Sequence, residues 1–377
     1  LDCMQKLGIN IEIISPQNIN VFGNGLYGLK EPLSPLDAGN SGTTARLLLG
    51  LLSGQNFFSI MTGDDSLSNR PMGRVVKPLR KMGAFIIGRQ DGNLLPLAIK
   101  GEQLTGICFE SHVASAQLKS SILLAGLFAE SPTSILEPAK SRDHTERMLE
   151  YFGVELDKNK LYTCIKPGQT IEARDIKIPG DFSSAAFFIV GSLITPNSDL
   201  LIHNVGINPT RIGLLNVLKD MGANIELHNQ RTFSGEPVAD IYVTHSNLKG
   251  ITIQGEIIPT LIDEIPILAV AALYAKGDTV IRDAKELRIK ETDRITALVS
   301  ELSKIGGSIT ALNDGLIIHG GKQLKGGCCN SFHDHRIAMA LAVAGLRAKN
   351  KIQIKDSECV AISYPNFFEE LNKITVV

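Results

Sequence analysis

The sequence predicts an α/β protein of two lobes, each built from repeated βαβ-type units. Three observations carry this. An amphipathic helix that ends at a glycine and leads into a β-rich run recurs every 70 to 85 residues or so, about one supersecondary unit. A second kind of helix, made of small apolar residues with polar residues only at its N-terminal tip, alternates with the first. At 377 residues the chain is also longer than one ordinary core sustains.

Taken in order, the amphipathic helices occupy residues 1–8, 75–83, 145–153, 214–222 and 295–306, ahead of the runs 9–13, 84–87, 154–156, 223–227 and 307–309, with a last member at 367–374. Their closing residues, Gly8, Gly83, Gly153, Gly222 and Gly306, suit the left-handed C-cap that lets a helix turn into a strand. The apolar helices fall at 42–49, 116–123, 182–188, 263–272 and 334–345. Ala, Ser and Gly on nearly every face predict helices buried inside their lobes. Six amphipathic helices stand against five buried ones, so an N-terminal stretch with a sixth buried tip is expected before Leu1. Three units per lobe put the boundary at Ile178-Pro179-Gly180-Asp181, which gives lobes of 1–178 and 179–377 with a cleft between them and Asp181 as the next N-cap.

Composition narrows the function. A net charge of -1, with 20% charged and 44% hydrophobic residues, gives no global basic field for nucleic acid or a membrane surface. The longest apolar runs, such as 265–275, fall short of the ~20 residues of a membrane span, and no basic-then-apolar signal segment opens the chain. A cytoplasmic protein is expected, and the absence of an exposed heptad stripe points to a monomer. Six cysteines without metal-site spacing read as reduced thiols. His333-Asp334-His335 has no further ligand cluster, so Asp334 reads as a helix cap and no metal or cofactor is expected.

The chemistry concentrates at the tips of the buried helices and in one charged stretch. The stretch runs from Asp283 to Ile295 and places Arg288, Lys290, Glu291, Asp293 and Arg294 between two apolar segments. A helix starting near Glu291 would set Lys290 and Arg294 one turn apart on one face, ready to hold an anion, with Glu291 beside them to move a proton. In isolation the same residues describe a solvated helix start. The tips supply free N–H groups and a positive dipole end, which suit an anion. Gly39 and Gly42 allow close backbone approach, although Asn40 to Thr43 also fit ordinary capping. Arg70 leads the next amphipathic helix, with Pro71 in its first turn. Gln117 and Lys119 stand on an otherwise apolar helix, where a lysine requires a partner. Asp263-Glu264 reads as N-terminal charge complementation or as paired carboxylates for proton transfer.

These tips resemble a known family. Asp37-Ala38-Gly39-Asn40-Ser41-Gly42-Thr43-Thr44-Ala45-Arg46, Arg70-Pro71-Met72, Ser115-Ala116-Gln117-Leu118-Lys119-Ser120, Ser141-Arg142-Asp143-His144-Thr145-Glu146, Arg288-Ile289-Lys290-Glu291-Thr292-Asp293-Arg294 and Asp334-His335-Arg336 are similar, in order, to the motifs of the EPSP synthase (3-phosphoshikimate 1-carboxyvinyltransferase) family. The resemblance runs from about Asp37 to the end of the chain. It implies the two-lobed enolpyruvyl transferase fold, with six units in a full protein. It also implies transfer of the enolpyruvyl group of phosphoenolpyruvate to the 5-hydroxyl of shikimate 3-phosphate, through a tetrahedral intermediate that loses phosphate, in aromatic amino acid biosynthesis.

Carried over by position, the resemblance implies that Gly42, Arg70, Gln117, Arg294 and Arg336 contact phosphoenolpyruvate. Ser115, Gln117, Ser141, Asp263 and Lys290 would contact shikimate 3-phosphate, with Arg142 as an alternative to Ser141 for its phosphate. Asp263 would orient or deprotonate the hydroxyl, and Glu291 would handle the proton at the enolpyruvyl carbon. Cations around Glu291 work against an acid role. Two features depart from the family pattern. Its Lys-Ser-x-Ser-His-Arg motif is not found, so the chain as it stands is expected to be inactive, and Ile362 stands where many members carry lysine. The UDP-N-acetylglucosamine enolpyruvyl transferases, of similar fold, need a cysteine loop with no match here. A non-catalytic phosphometabolite-binding protein is the alternative from another class. A nucleic-acid phosphate cyclase would show a nucleotide motif and a basic face.

Overall fold

The computed structural model describes residues 1–375. The chain divides into two compact units, Leu1–Ile176 and Lys177–Val377. Each repeats one arrangement: a strand, a buried helix, a parallel strand, an amphipathic helix and an antiparallel hairpin whose second strand pairs with the second strand of the parallel pair.

In the first unit, Leu36–Asp37 and Phe58–Thr62 pair in parallel around the helix Gly42–Ser53. The helix Gly73–Lys81 then leads to Phe85–Gly88 and Leu94–Lys100, giving a four-stranded sheet. The next repeat places Cys108–Glu110 beside Thr133–Leu136 around Ala116–Gly126, and His144–Tyr151 leads to Leu156–Asn159 and Tyr162–Ile165. The unit opens on the helix Asp2–Lys6 and the hairpin Asn10–Ser15 with Asn18–Phe22.

In the second unit, Phe182–Ile194 lies between the Gly180 bridge and strand Asp199–Gly206, followed by Gly213–Asp220 and the hairpin Ile225–Phe233 with Glu236–Thr244. Ile265–Leu273 and Arg294–Lys304 serve the sheet of Thr252–Ile253, Asp278–Ile281, Gly315–His319 and Ser308–Leu312. His335–Gly345 joins the parallel pair Gly327–Asn330 and Ile352–Lys355 before the last helix, Phe367–Ile374. The expected six amphipathic and five buried helices all form among the described residues.

The small-residue helices are buried because other helices and the sheets pack around them. All nine residues of Ile265–Leu273 are inaccessible, and this helix packs on both Phe182–Ile194 and His335–Gly345. Between Gly42–Ser53 and Ala116–Gly126 the backbones nearly touch: a Cβ at Gly50 would stand 2.2 Å from the carbonyl oxygen of Ser121. A large side chain there would separate the two tips that carry Gly42 and Gln117. The five helix-closing glycines have φ between 84° and 105°, the left-handed stop their spacing predicts.

Three local expectations need correction. Lys290 is extended (φ -82°, ψ -154°) between the 3-10 turn Lys285–Ile289 and the helix Arg294–Lys304, so it does not share a helical face with Arg294. Asp293 caps that helix by accepting from Thr296 N at 3.1 Å, which delays its start. Asp263 and Glu264 lie on the 3-10 turn Ile262–Glu264 ahead of the helix, where Pro266 sets the first turn. Pro71 precedes the N-cap Met72 and is outside the first turn of Gly73–Lys81.

Candidate active-site residues

In the first unit the expected residues sit on neighbouring tips. Ser41 accepts from Thr44 N at 3.1 Å, so Gly42 begins its helix as capping chemistry requires. Gln117 reaches across to that tip: its amide donates to Thr43 Oγ1 at 2.8 Å, and its carbonyl accepts from Arg46 Nη1 at 2.7 Å. Arg46, which the sequence reading did not single out, is 6% exposed and also donates to the Pro71 carbonyl at 3.1 Å. Its only sequence signal is a charge inside an otherwise apolar helix. Arg70 donates to Asn40 Oδ1 at 2.9 Å and Ser66 Oγ at 3.0 Å, while Asn40 donates to Asp64 at 2.7 Å. Ser115 caps Ala116–Gly126. The Ser141 hydroxyl is buried and has no hydrogen-bond partner among the described residues.

Lys119 has the partner its position demands, twice over. Its ammonium lies 2.8 Å from Glu137 and 2.7 Å from Glu146, and all three residues are buried. Burial disfavours the Lys119 charge, but the two carboxylates outweigh it and raise the lysine's pKa. For Glu146 burial prevails over Lys119 and pushes the carboxyl above its usual range. One ammonium cannot neutralise two buried carboxylates. A cavity of about 140 Å³ adjoins this trio, with Lys140, Lys158 and Lys160 among its lining residues.

In the second unit the long-range contacts run to Asp263 and Asp334. Arg294, 1% exposed, donates from Nε to Asp334 Oδ2 at 2.8 Å and from Nη2 to Glu291 Oε2 at 2.6 Å. Its Nη1 lies 3.6 Å from Asp263 Oδ1, which also stands 3.2 Å from Lys290 Nζ. So Lys290 and Arg294 do meet, through Asp263 rather than along a helix. Burial opposes the Arg294 charge, yet Asp334, Glu291 and Asp263 raise its pKa further. Burial likewise opposes ionisation of Asp334, but Arg294 holds its carboxyl below the usual range. The buried Arg294 Nη1 makes no hydrogen bond among the described residues.

Arg336, in the first turn of His335–Gly345, donates from Nη1 to the Asp263 carbonyl at 3.0 Å. Asp334 caps this helix by accepting from Arg336 N at 2.9 Å. Burial, then the charge of Arg336, lowers the pKa of His335 and keeps its imidazole neutral at pH 7. Among the described residues no cluster of three or more His, Cys, Asp or Glu side chains is arranged to hold a metal ion.

In the second unit two guanidinium groups, Arg294 and Arg336, and the Lys290 ammonium thus stand beside the carboxylates of Asp263, Glu291 and Asp334. That combination can bind a multiply charged anion and move protons next to it. A sequence profile described as EPSP synthase (3-phosphoshikimate 1-carboxyvinyltransferase) matches residues 1–371. A 3-phosphoshikimate 1-carboxyvinyltransferase of Desulforudis audaxviator is 54% identical over 372 residues, covering 99% of this chain and 87% of the relative. One from Brevibacillus brevis is 52% identical over 375 residues, covering 100% and 88%. A solved structure of EPSP synthase from Acinetobacter baumannii matches with a TM-score of 0.90 at 45% identity, over 100% of this chain and 86% of that one. The chain belongs to the EPSP synthase (3-phosphoshikimate 1-carboxyvinyltransferase) family.

Proposed function

We propose that this chain's residues take the following roles in its family's reaction. It transfers the enolpyruvyl group of phosphoenolpyruvate to the 5-hydroxyl of 3-phosphoshikimate, giving 5-enolpyruvylshikimate 3-phosphate and phosphate. The observation that carries the assignment is Arg294. It is a fully buried guanidinium, charged at any working pH, with the Nη1 donor unsatisfied.

Arg294, Arg336 and Arg70 bind the carboxylate and phosphate of phosphoenolpyruvate, for which planar guanidinium groups are suited. Gly42 leaves room for the anion at a helix N-terminus, and Gln117, fixed by Arg46 and Thr43, touches both substrates. Ser115, Ser141 and Lys290 hold 3-phosphoshikimate. Asp263, 3.2 Å from Lys290, takes the proton of the 5-hydroxyl as its oxygen adds to C2. Glu291 delivers a proton to C3 and takes one back when the tetrahedral intermediate expels phosphate. Charge developing on the leaving phosphate is stabilised by the same arginines.

Glu291 rests against Arg294 at 2.6 Å. An anion drawn to Arg294 takes over part of that charge and leaves Glu291 better able to carry a proton. The protein is read as a cytoplasmic monomer without a cofactor. Its cysteines are all free, and no helix among the described residues is long and apolar enough to cross a membrane. Calorimetric titration with phosphoenolpyruvate in the presence of 3-phosphoshikimate tests the assignment. Arg294→Met is expected to abolish measurable binding while 3-phosphoshikimate still binds. Unchanged phosphoenolpyruvate affinity would remove Arg294 from the site.

A further inference from the structure

Within the second unit a chain of polar contacts, buried at Ser183 and Glu264, joins the tips of the three buried helices. Arg211 Nη2 pairs with Asp181 Oδ1 at 3.0 Å and donates to Ser183 Oγ at 2.6 Å. Ser183 donates to Glu264 Oε1 at 2.5 Å, and Arg336 Nη1 lies 3.4 Å from that same oxygen. Glu264 is 1% and Ser183 3% exposed. A carboxylate buried this far is costly unless a cation and hydrogen bonds hold it.

The Glu264 side chain makes no capping hydrogen bond to the helix Ile265–Leu273, so its hydrogen-bonding capacity is directed elsewhere. Its ion-pair partner is Arg336. The consequence appears on Arg336. Nη1 is occupied by Glu264 and by the Asp263 carbonyl, whereas Nε and Nη2 have no hydrogen-bond partner among the described residues. A guanidinium gripped at one nitrogen presents its other edge for bidentate contact with a carboxylate or phosphate. We propose that Glu264, braced by Ser183 and Arg211, is a positioning residue that orients Arg336 for phosphoenolpyruvate. This rests on the binding role given to Arg336 above, and it supplies the specificity for an anion that role requires.

The test is steady-state kinetics of the protein and its variants, with phosphate release as the readout. Glu264→Gln keeps the shape and removes the charge. It is expected to raise the KM for phosphoenolpyruvate about tenfold, the loss of roughly one charge-assisted hydrogen bond. The expected change in kcat and in the KM for 3-phosphoshikimate is less than about threefold, since neither depends on Arg336 orientation in the same way. Ser183→Ala shifts the same KM in the same direction by a smaller factor, and it provides the readout if Glu264→Gln does not fold. In an Arg336→Lys background the Glu264→Gln effect should vanish, which a purely structural role would not produce. A phosphoenolpyruvate KM unchanged in a folded Glu264→Gln variant, or the same fold-change persisting in the Arg336→Lys background, overturns the proposal. If the unmodified protein releases no phosphate, it is the family reaction that fails, and the two failures are thereby separated.

Discussion

Arg294 and Asp334 form a two-point contact between fully buried side chains, Nε to Oδ2 at 2.8 Å and Nη2 to Oδ1 at 3.3 Å. Asp334 also caps the helix that carries Arg336. One carboxylate therefore fixes two arginines assigned to phosphoenolpyruvate.

Asp334→Asn leaves Arg294 buried without its main countercharge and is expected to destabilise the protein by about 3 kcal/mol. Urea unfolding at pH 7 checks this. The sign with pH follows from the depressed carboxyl: its stabilisation is present above the ordinary Asp value of 3.8 and is lost as pH falls through the lower folded value. The difference between the unmodified protein and Asp334→Asn should therefore shrink only in strong acid. A gap that closes between pH 7 and 5 would contradict the pairing.

The buried trio in the first unit behaves in the opposite sense. Lys119→Met strands two carboxylates and is expected to cost about 3–5 kcal/mol. Glu146→Gln should be close to neutral, because one lysine serves only one carboxylate fully. The Glu146 carboxyl is raised above 4.5 by burial, so its contribution favours the fold in acid and is lost as pH rises through the folded value. Glu146→Gln should therefore gain stability relative to the unmodified protein as pH rises from about 4.5 towards neutrality. Equal losses in the two variants would show that Lys119 is not shared.

Gly42→Ala would set a Cβ 2.7 Å from Arg46 Nη1, the nitrogen that fixes Gln117. Arg46 is buried, so it cannot swing into water to relieve the contact. The expected outcome is a rise of about tenfold in the KM for phosphoenolpyruvate, with thermal stability changed by less than about 1 kcal/mol. Kinetics with an Arg46→Lys variant separates the two contributions: if Gly42 acts through Arg46, both substitutions raise the same KM.

Glu291→Gln removes the proton but keeps the shape. It is expected to lower kcat by about 10²–10⁴-fold with little change in either KM. Rapid-quench analysis of bound species checks which half-reaction slows; since Glu291 serves both the addition and the elimination, both should.

Much of this was legible in the sequence because helix ends carry local signals. Asp181 and Asp334 do cap their helices, and the glycines after the amphipathic helices do take left-handed backbone. Fold class followed from alternation of two helix types. What could not be read were the long-range partners. Lys119 signalled that it needed a countercharge without naming Glu137 and Glu146, 18 and 27 positions away. The Lys290 and Arg294 pairing was misplaced onto one helical face, because Asp293 moves the cap and Asp263, remote in sequence, is what they share. Arg46, Ser183 and Arg211 are ordinary in sequence and acquire meaning only from what faces them, and the pair Asp263-Glu264 stood out without revealing that Glu264 faces Ser183 and Arg336.

The most direct test of the central claim is 3-phosphoshikimate-dependent release of phosphate from phosphoenolpyruvate by the protein, beside Asp263→Asn and Glu291→Gln. Turnover that requires both substrates and falls by at least about a hundredfold in each variant is expected. Turnover that survives both substitutions would contradict the assigned proton chemistry, and binding of both substrates without any turnover would leave a binding protein on this scaffold.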